Sequence, residues 1–385
     1  MRRKRSDELP RFVDEAEARS FRWRRKYTYY LCGFIFVCWL LYPSGKTSSQ
    51  RDNGLNINWS HYAYSLYAID GATLCHALLL FDALARFGSK ADRVLFYPAY
   101  WDLTVESSKD RDSQLLVLAR DQYKVKLQPI ELLAVESRTG GTRKLDKTVT
   151  KFMAFSLAYY DRVISLDSDI TLLDSLDELF LLPKTSIAMP RSYGTDSKPW
   201  PLTSMLMVIQ PSLEEFERFK KRIGEGGDNM LVKAHRFDME IVNERFEESA
   251  LVLPHRPYAL LTSEFRRHDH ATYLGDPGET WDAEKVFKEA KLVHFSDWPL
   301  QPWVMWPQKG LQEMQPDCNG NHEAGCAERR IWKHLYDDFR HRRKDICKLL
   351  SVPAPEWTGA KGRPQNSTDR TDEQATPHAT STPSS

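Results

Sequence analysis

Along the first half of the chain, short continuous apolar runs alternate with longer stretches whose apolar positions recur every three or four residues. The runs "YAYSLYAI" (62–69), "RVLFYPAY" (93–100), "KVKLQPI" (124–130) and "RVISL" (162–166) read as strands. Between them, "ATLCHALLLFDALARF" (72–87), "SQLLVLARDQY" (113–123) and "KTVTKFMAFSLAYY" (147–160) carry helical periodicity. Further on, "SMLMVIQPS" (204–212) reads as a strand, and "LEEFERFKKRI" and "FDMEIVNERF" read as helices. Strands alternating with helices of this length predict an α/β domain built on a parallel sheet wrapped on both sides. In such sheets ligands bind beyond the carboxyl ends of the strands. "PLQPWVMWP" (299–307), with three prolines, predicts no regular element. Residues 328–350 predict a basic amphipathic helix packed on the domain. No internal repeat is visible.

The flanks differ from this body. Residues 27–42, "YTYYLCGFIFVCWLLY", form one uncharged apolar run, at the short end of the about 17–25 helical residues that cross a bilayer core. Residues 1–26 carry ten Lys or Arg against five Asp or Glu, and no small-residue cleavage site follows the run. A basic flank, one span and no cleavage site predict a signal anchor, with the basic end in the cytosol and the rest in the secretory lumen. The expected organisation is a cytosolic tail (1–26), a transmembrane anchor (27–42), a lumenal stem (43–60), a catalytic domain (61–350) and a disordered Ser/Thr/Pro-rich tail (351–385).

Composition narrows the reading only slightly. The 54 basic residues against 53 acidic ones exclude a strongly basic nucleic-acid binder. The sequons Asn58-Trp59-Ser60 and Asn366-Ser367-Thr368 suit a lumenal glycoprotein. Outside the apolar run lie Cys75, Cys318, Cys326 and Cys347, an even number compatible with disulfides. Cys318 and Cys326 flank a turn-rich loop that they can staple; the spacing does not suit zinc. The glycine-rich "GEGGDN" lacks the Lys-Ser/Thr of a phosphate-binding loop.

Candidate chemistry sits at the end of "RVISL", where the buried run stops on Asp167-Ser168-Asp169. Two carboxylates so placed repel each other and resist desolvation, so a positive group belongs between them, most simply a divalent metal. Asp110-Arg111-Asp112 has the same spacing in a polar segment, where the charges are expected to be solvated. Context, not spacing, carries the signal.

The order of "TVTKFMAFSLAYYDRVISLDSDITLLDSLDELF", a later "DMEIVN" and "VHFSDWPLQPW" resembles glycosyltransferase family 8, the glycogenin-like retaining transferases. The resemblance covers roughly residues 61–310 and is nearest the family's fungal Golgi N-acetylglucosaminyltransferases. It implies a GT-A, Rossmann-like nucleotide-sugar-binding domain. It also implies a metal site of Asp167, Asp169 and His294 for a manganese ion, Mn2+, which would neutralise charge on a departing nucleotide diphosphate. Lys151 matches a basic residue near the donor, with Asp70, Gly71, Asp167 and Ser168 as further donor-binding candidates. Asp238 matches an acidic residue pointed at the donor sugar, and Glu240 is a second catalytic candidate.

Two departures stand out. Met239 replaces the family's glutamine, which leaves double displacement and front-face transfer both open. Gln301 stands where members often have a diphosphate-contacting lysine, for which Lys309 or Arg191 are the candidate substitutes. The expectation is a Golgi type II membrane enzyme moving N-acetylglucosamine from its UDP form to a mannose-containing glycan. Trp298, Trp303 and Trp306 are candidates for the acceptor rim. The alternatives are a glucosyl- or galactosyltransferase, a catalytically silent scaffold or lectin-like subunit, and a metal-dependent phosphoesterase. The last would need more His and Asp ligands than one cluster supplies.

Overall fold

A succession of strands and helices builds the first half of the domain. Strand β1 (Tyr62–Tyr67) leads into helix α1 (Gly71–Arg86), β2 (Asp92–Pro98), α2 (Arg111–Tyr123) and β3 (Lys126–Ile130). These elements belong to a computed structural model that describes residues 57–107, 110–135, 145–194, 198–224, 238–318, 326–348 and 352–353. The expected cytosolic tail, membrane anchor, most of the stem, the "GEGGDN" loop and nearly all of the C-terminal tail lie outside them. Among the described residues no helix is long and apolar enough to cross a membrane.

The chain returns through β4 (Arg162–Leu166) and β5 (Ile170–Leu172), then β6 (Ile187–Pro190) and β7 (Leu206–Ile209). Helices α3 (Leu213–Gly224) and α4 (Asp238–Phe246) precede β8 (Leu251–Leu253). Among the described residues the main sheet has the order β3-β2-β1-β4-β7-β6-β8. Strands β3, β2, β1 and β4 are parallel. The wholly parallel sheet expected from the sequence is corrected here, because β7 runs antiparallel to both β4 and β6. The physical reason lies between β6 and β7, where the described residues hold no helix to make the crossover that parallel neighbours need.

Alternation along β1 sends Tyr64 and Leu66 into one buried cluster and Ala63 and Tyr67 into another, so the sheet is covered on both faces. The chain steps outward from β1 to β2 and β3, then crosses back to place β4 on β1's other side. That reversal opens a crevice beyond the carboxyl ends of β1 and β4. Asp70 and Asp167 occupy those two ends.

Residues 147–160 depart from their predicted α-helix and run as a 3-10 helix over Leu145–Ser156. Thr148, Val149 and Thr150 are β-branched and crowd an α-turn, and Thr150 Oγ1 donates to the Leu133 carbonyl at 2.9 Å. In the tighter coil, residues three apart eclipse one another. Thr148 and Lys151 therefore lie on one edge.

Strands β9 (Leu260–Leu261) and β10 (Leu292–His294) join β5 in a small second sheet, with His294 opposite Ile170. In the proline-rich segment only Val304–Met305 forms a short strand, β11. Helix α5 (Ala327–Cys347) buries Ile331, Leu335, Phe339, Arg343 and Cys347, an i, i+4 stripe that docks it on the domain as expected. Among the described residues two disulfides form, Cys318–Cys326 and Cys75–Cys347, the second tying α1 to the end of α5.

The Cys75–Cys347 bond spans 272 residues of sequence, so its loss frees a very large loop in the unfolded chain. Replacing both cysteines by serine is expected to lower unfolding free energy by about 2–5 kcal/mol. Urea unfolding under non-reducing conditions measures it. Stability equal to that of the wild type would show that α5 docks through its apolar stripe alone.

Candidate functional site

At the carboxyl end of β1, Asp70 serves first as the N-cap of α1. Its Oδ1 accepts from the Thr73 N–H at 2.7 Å, while Thr73 Oγ1 accepts from the Asp70 N–H at 3.0 Å. This is a reciprocal capping box. Gly71 follows because a Cβ there would stand 2.5 Å from Asp112 Oδ1. Asp112, expected to be solvated, is corrected: it is half-buried, and burial together with the neighbouring Asp70 carboxylate pushes its carboxyl above the ordinary range. Arg343 of α5 is buried nearby, where burial lowers its guanidinium and Asp70 opposes the fall. Asp110 differs in its partners: its carboxylate accepts from the Ser107 and Glu106 N–H groups, which hold its carboxyl below the ordinary range.

At the end of β4 a positive group does stand beside Asp167, but it is a lysine, and it pairs Asp167 with Asp238 and not with Asp169. Lys151 is buried, with a side chain 1% exposed. Its Nζ lies 2.7 Å from Asp167 Oδ2 and 2.5 Å from Asp238 Oδ2. Burial alone would lower the ammonium, but the Asp167 and Asp238 carboxylates reverse the effect and hold it above its ordinary value.

One lysine charge serves two carboxylates, so their other partners decide how they differ. Asp238 also accepts from Ser204 Oγ, and from Thr148 Oγ1 at 2.7 Å. Against the upward push of burial, Lys151 and these hydroxyls hold the Asp238 carboxyl below its usual range. Asp167 accepts from Tyr67 OH at 3.0 Å and from the Ser168 N–H at 2.9 Å, both on Oδ1. Burial, with Asp169 and Asp238 close by, outweighs Lys151 there and raises Asp167. Tyr67 stays a phenol donor, because burial and then Asp167 push its hydroxyl well up.

Asp169 faces a different neighbour. Its Oδ2 lies 3.0 Å from His294 Nε2, and its carbonyl accepts from the Phe295 N–H at 2.9 Å. Adjacent ligands on an octahedral ion with bonds of about 2.1 Å stand about 3 Å apart, so this pair fits two sites on a magnesium- or manganese-sized ion. His294 Nδ1 is buried without a hydrogen-bond partner. Asp167 does not join the pair. Among the described residues no three His, Cys, Asp or Glu side chains converge as a ligand set.

Behind His294, buried Asp297 accepts from Arg266, Trp332 Nε1 and Tyr336 OH at 2.8, 2.8 and 2.9 Å, which anchors the loop after β10 to α5. Glu240 is half-buried on α4 and projects about 200° around the helix from Asp238. Gln301 is buried. Neither candidate substitute for a diphosphate-contacting lysine is gathered into the site: Arg191 donates to the Trp200 carbonyl, and the Lys309 side chain is 79% exposed beside Glu313. Trp303 packs on His76 and Phe339, and Trp306 on Trp332 and Tyr336. Of the three tryptophans, Trp298 stands out into solvent.

Sequence reasoning missed Tyr67, Thr148 and Ser204. Each is a hydroxyl-bearing residue inside or beside an apolar run, which by itself gives no sign of a partner.

No protein-family model matches the sequence. The chain is 45% identical over 345 residues to a protein named Glucose N-acetyltransferase 1 from Aspergillus fumigatus, with 87% of this chain and 90% of the relative covered. A protein of the same name from Gibberella zeae is 42% identical over 306 residues, with 78% of this chain and 66% of that one covered. Among solved structures, the glycosyltransferase GlyE of Streptococcus pneumoniae superposes with a TM-score of 0.44 at 15% identity, covering 71% of this chain and 59% of its own.

Lys151→Met leaves Asp167 and Asp238 buried without their cation and is expected to cost about 3–5 kcal/mol of stability, read by urea unfolding near neutral pH. Without the lysine both carboxyls rise above their unfolded values. A group raised in the folded state stabilises below its unfolded pKa and loses that contribution as pH rises. The deficit should therefore shrink as pH falls toward about 4. A deficit independent of pH would assign the loss to packing.

Proposed function

The chain belongs to the Glucose N-acetyltransferase 1 family and is a glycosyltransferase, and from that premise we propose that it moves N-acetylglucosamine from its UDP form to a mannose-containing glycan. The identity to the Aspergillus relative, which extends along nearly the whole of both chains, carries this reading. The crevice beyond β1 and β4 suits a nucleotide-sugar, in keeping with a GT-A domain of family 8 type. In this proposal Asp70, Gly71, Lys151, Asp167 and Ser168 border the donor. Asp238 meets the transferred sugar, with Glu240 one helical half-turn beyond it.

Asp169 and His294 would hold Mn2+, which when bound would supply charge neutralisation for the departing diphosphate. In the transfer, the bond between the anomeric carbon and the diphosphate oxygen breaks and its electron pair leaves with UDP. The acceptor hydroxyl oxygen forms the new bond, and its proton passes to the leaving diphosphate. The protein's part is to orient the donor, to exclude water and to keep Lys151 charged beside the reacting groups. Exposed Trp298, on the segment after His294, would offer an aromatic face to the acceptor sugar. A Golgi type II placement, with residues 27–42 as the anchor, belongs to the same proposal. The two disulfides support an oxidising lumen.

The test is UDP release by the full chain in detergent with manganese, a panel of UDP-sugars and mannoside acceptors. Release is expected with UDP-N-acetylglucosamine, and Asp169→Asn should reduce it about a hundredfold or more. UDP binding without turnover of any sugar would replace this reading with a catalytically silent subunit. Preference for UDP-glucose or UDP-galactose would change the donor and leave the reaction class intact.

A further inference from the structure

The hydroxyls around Asp238 go beyond what binding or chemistry at that residue requires. An ionised carboxylate offers about four acceptor directions. Three of them are taken by protein donors: Thr148 on Oδ1, and Lys151 with Ser204 on Oδ2. The donors come from two separate parts of the chain. Thr148 and Lys151 share the eclipsed edge of the 3-10 helix, and Ser204 lies just before β7. The Asp238 side chain nevertheless stays 12% exposed, so the remaining direction is reachable.

A carboxylate on a helix end would ordinarily choose among rotamers. Here it cannot rotate without breaking a bond to at least one of three donors. Ser204 is itself fixed from a second side, since Lys151 Nζ lies 3.3 Å from its Oγ. The neighbouring Met205 carbonyl accepts from the Asp167 N–H at 3.0 Å, which ties the Ser204 segment to the end of β4. That backbone bond holds the Ser204 segment in place independently of the Ser204 hydroxyl.

We propose that Thr148 and Ser204 are positioning residues for the transfer reaction, which with Lys151 hold Asp238 as a fixed acceptor with one direction left for a hydroxyl or amide of the transferred sugar. The proposal rests on the transferase reading above. It also gives Asp238 a defined task, because oxygens already committed to three donors are poorly disposed to form a bond to carbon, whereas they remain good hydrogen-bond acceptors.

The test compares Thr148→Val, Thr148→Ser and Ser204→Ala with the wild-type full chain, using UDP-N-acetylglucosamine turnover, calorimetric binding of UDP and thermal melting. Thr148→Val and Ser204→Ala should each lower kcat roughly 10–100-fold, the scale of a misplaced reacting group. UDP, which lacks the sugar, should bind the variants as it binds the wild type. Thr148→Ser keeps the hydroxyl and should recover most of the turnover. Wild-type kcat in both hydroxyl-deleted variants would overturn the proposal. So would a Thr148→Ser enzyme as slow as Thr148→Val, or a loss matched by weaker UDP binding, since either would mark a packing role. A wild-type chain without any turnover would overturn the transferase reading and this proposal together, whereas an active wild type with unimpaired variants would overturn this proposal alone. Should one variant melt early, the other still separates the two roles, because Thr148 and Ser204 lie on different elements.

Discussion

A single lysine charge, buried between two carboxylates, is the constraint around which the crevice is arranged. Taking an ammonium out of water costs several kcal/mol, and each carboxylate costs as much again. Such a group is tolerable only if every donor and acceptor direction finds a partner at short range. Lys151 meets this with Asp167, Asp238 and Ser204. Satisfying it fixes more than one side chain. The segment before β4 must coil tightly enough to bring Thr148 and Lys151 to one edge, β1 must end with Tyr67 facing Asp167, and β7 must enter where Ser204 reaches Asp238. An α-helical 145–156 would satisfy its own backbone and move Thr148 off the edge that carries Lys151.

A second set of links closes around the other side of the site. Asp169 meets His294 across β5 and β10, and the loop beyond His294 is anchored through Asp297 to Trp332 and Tyr336 of α5. Helix α5 carries Arg343 to the neighbourhood of Asp70 and ends at Cys347, bonded to Cys75 of α1. Helix α1 begins at Asp70. The two halves of the crevice are therefore joined by covalent and buried polar links as well as by the sheet. Position at one strand end is transmitted to the other through α5. This gives the C-terminal helix a reason to be docked by a full i, i+4 stripe instead of a marginal contact.

Much of this was legible because burial leaves a strong trace in sequence. The unbroken apolar run 162–166 ending on Asp167 marked both a buried strand and a charge problem, and the structure answers it with a buried cation. The answer itself was harder to read. Lys151 looks like any lysine on an amphipathic stretch, and its burial depends on a helix type that periodicity does not distinguish. Thr148, Ser204 and Tyr67 were invisible for a related reason: a hydroxyl in an apolar run reads as a neutral filler until its partner, dozens of residues away, is known. Asp112 was misjudged because its own segment is polar, whereas its burial comes from the approach of α2 to Gly71. The antiparallel β7 escaped notice because a four-residue buried strand has no direction in its pattern.

The balance of charge at the crevice bears on how an anionic donor would enter. Asp70, Asp112, Asp167, Asp169 and Asp238 gather around the two strand ends, set against the buried cations Lys151 and Arg343. Lys151 is shared by Asp167 and Asp238, and Arg343 is placed beside Asp70, so neither stands as a surplus charge for a diphosphate. Among the described residues, the carboxylates at the strand ends outnumber these two cations, and a nucleotide-sugar arriving alone would meet their repulsive field. The same field attracts a divalent cation, and Asp169 with His294 has the spacing to receive one. Under the proposed function, this arrangement would favour a donor that enters together with a metal over one met by the side chains of Lys151 and Arg343. Gln301 would fit that division of labour, since a cation carried by the ligand would remove the need for a lysine at that position.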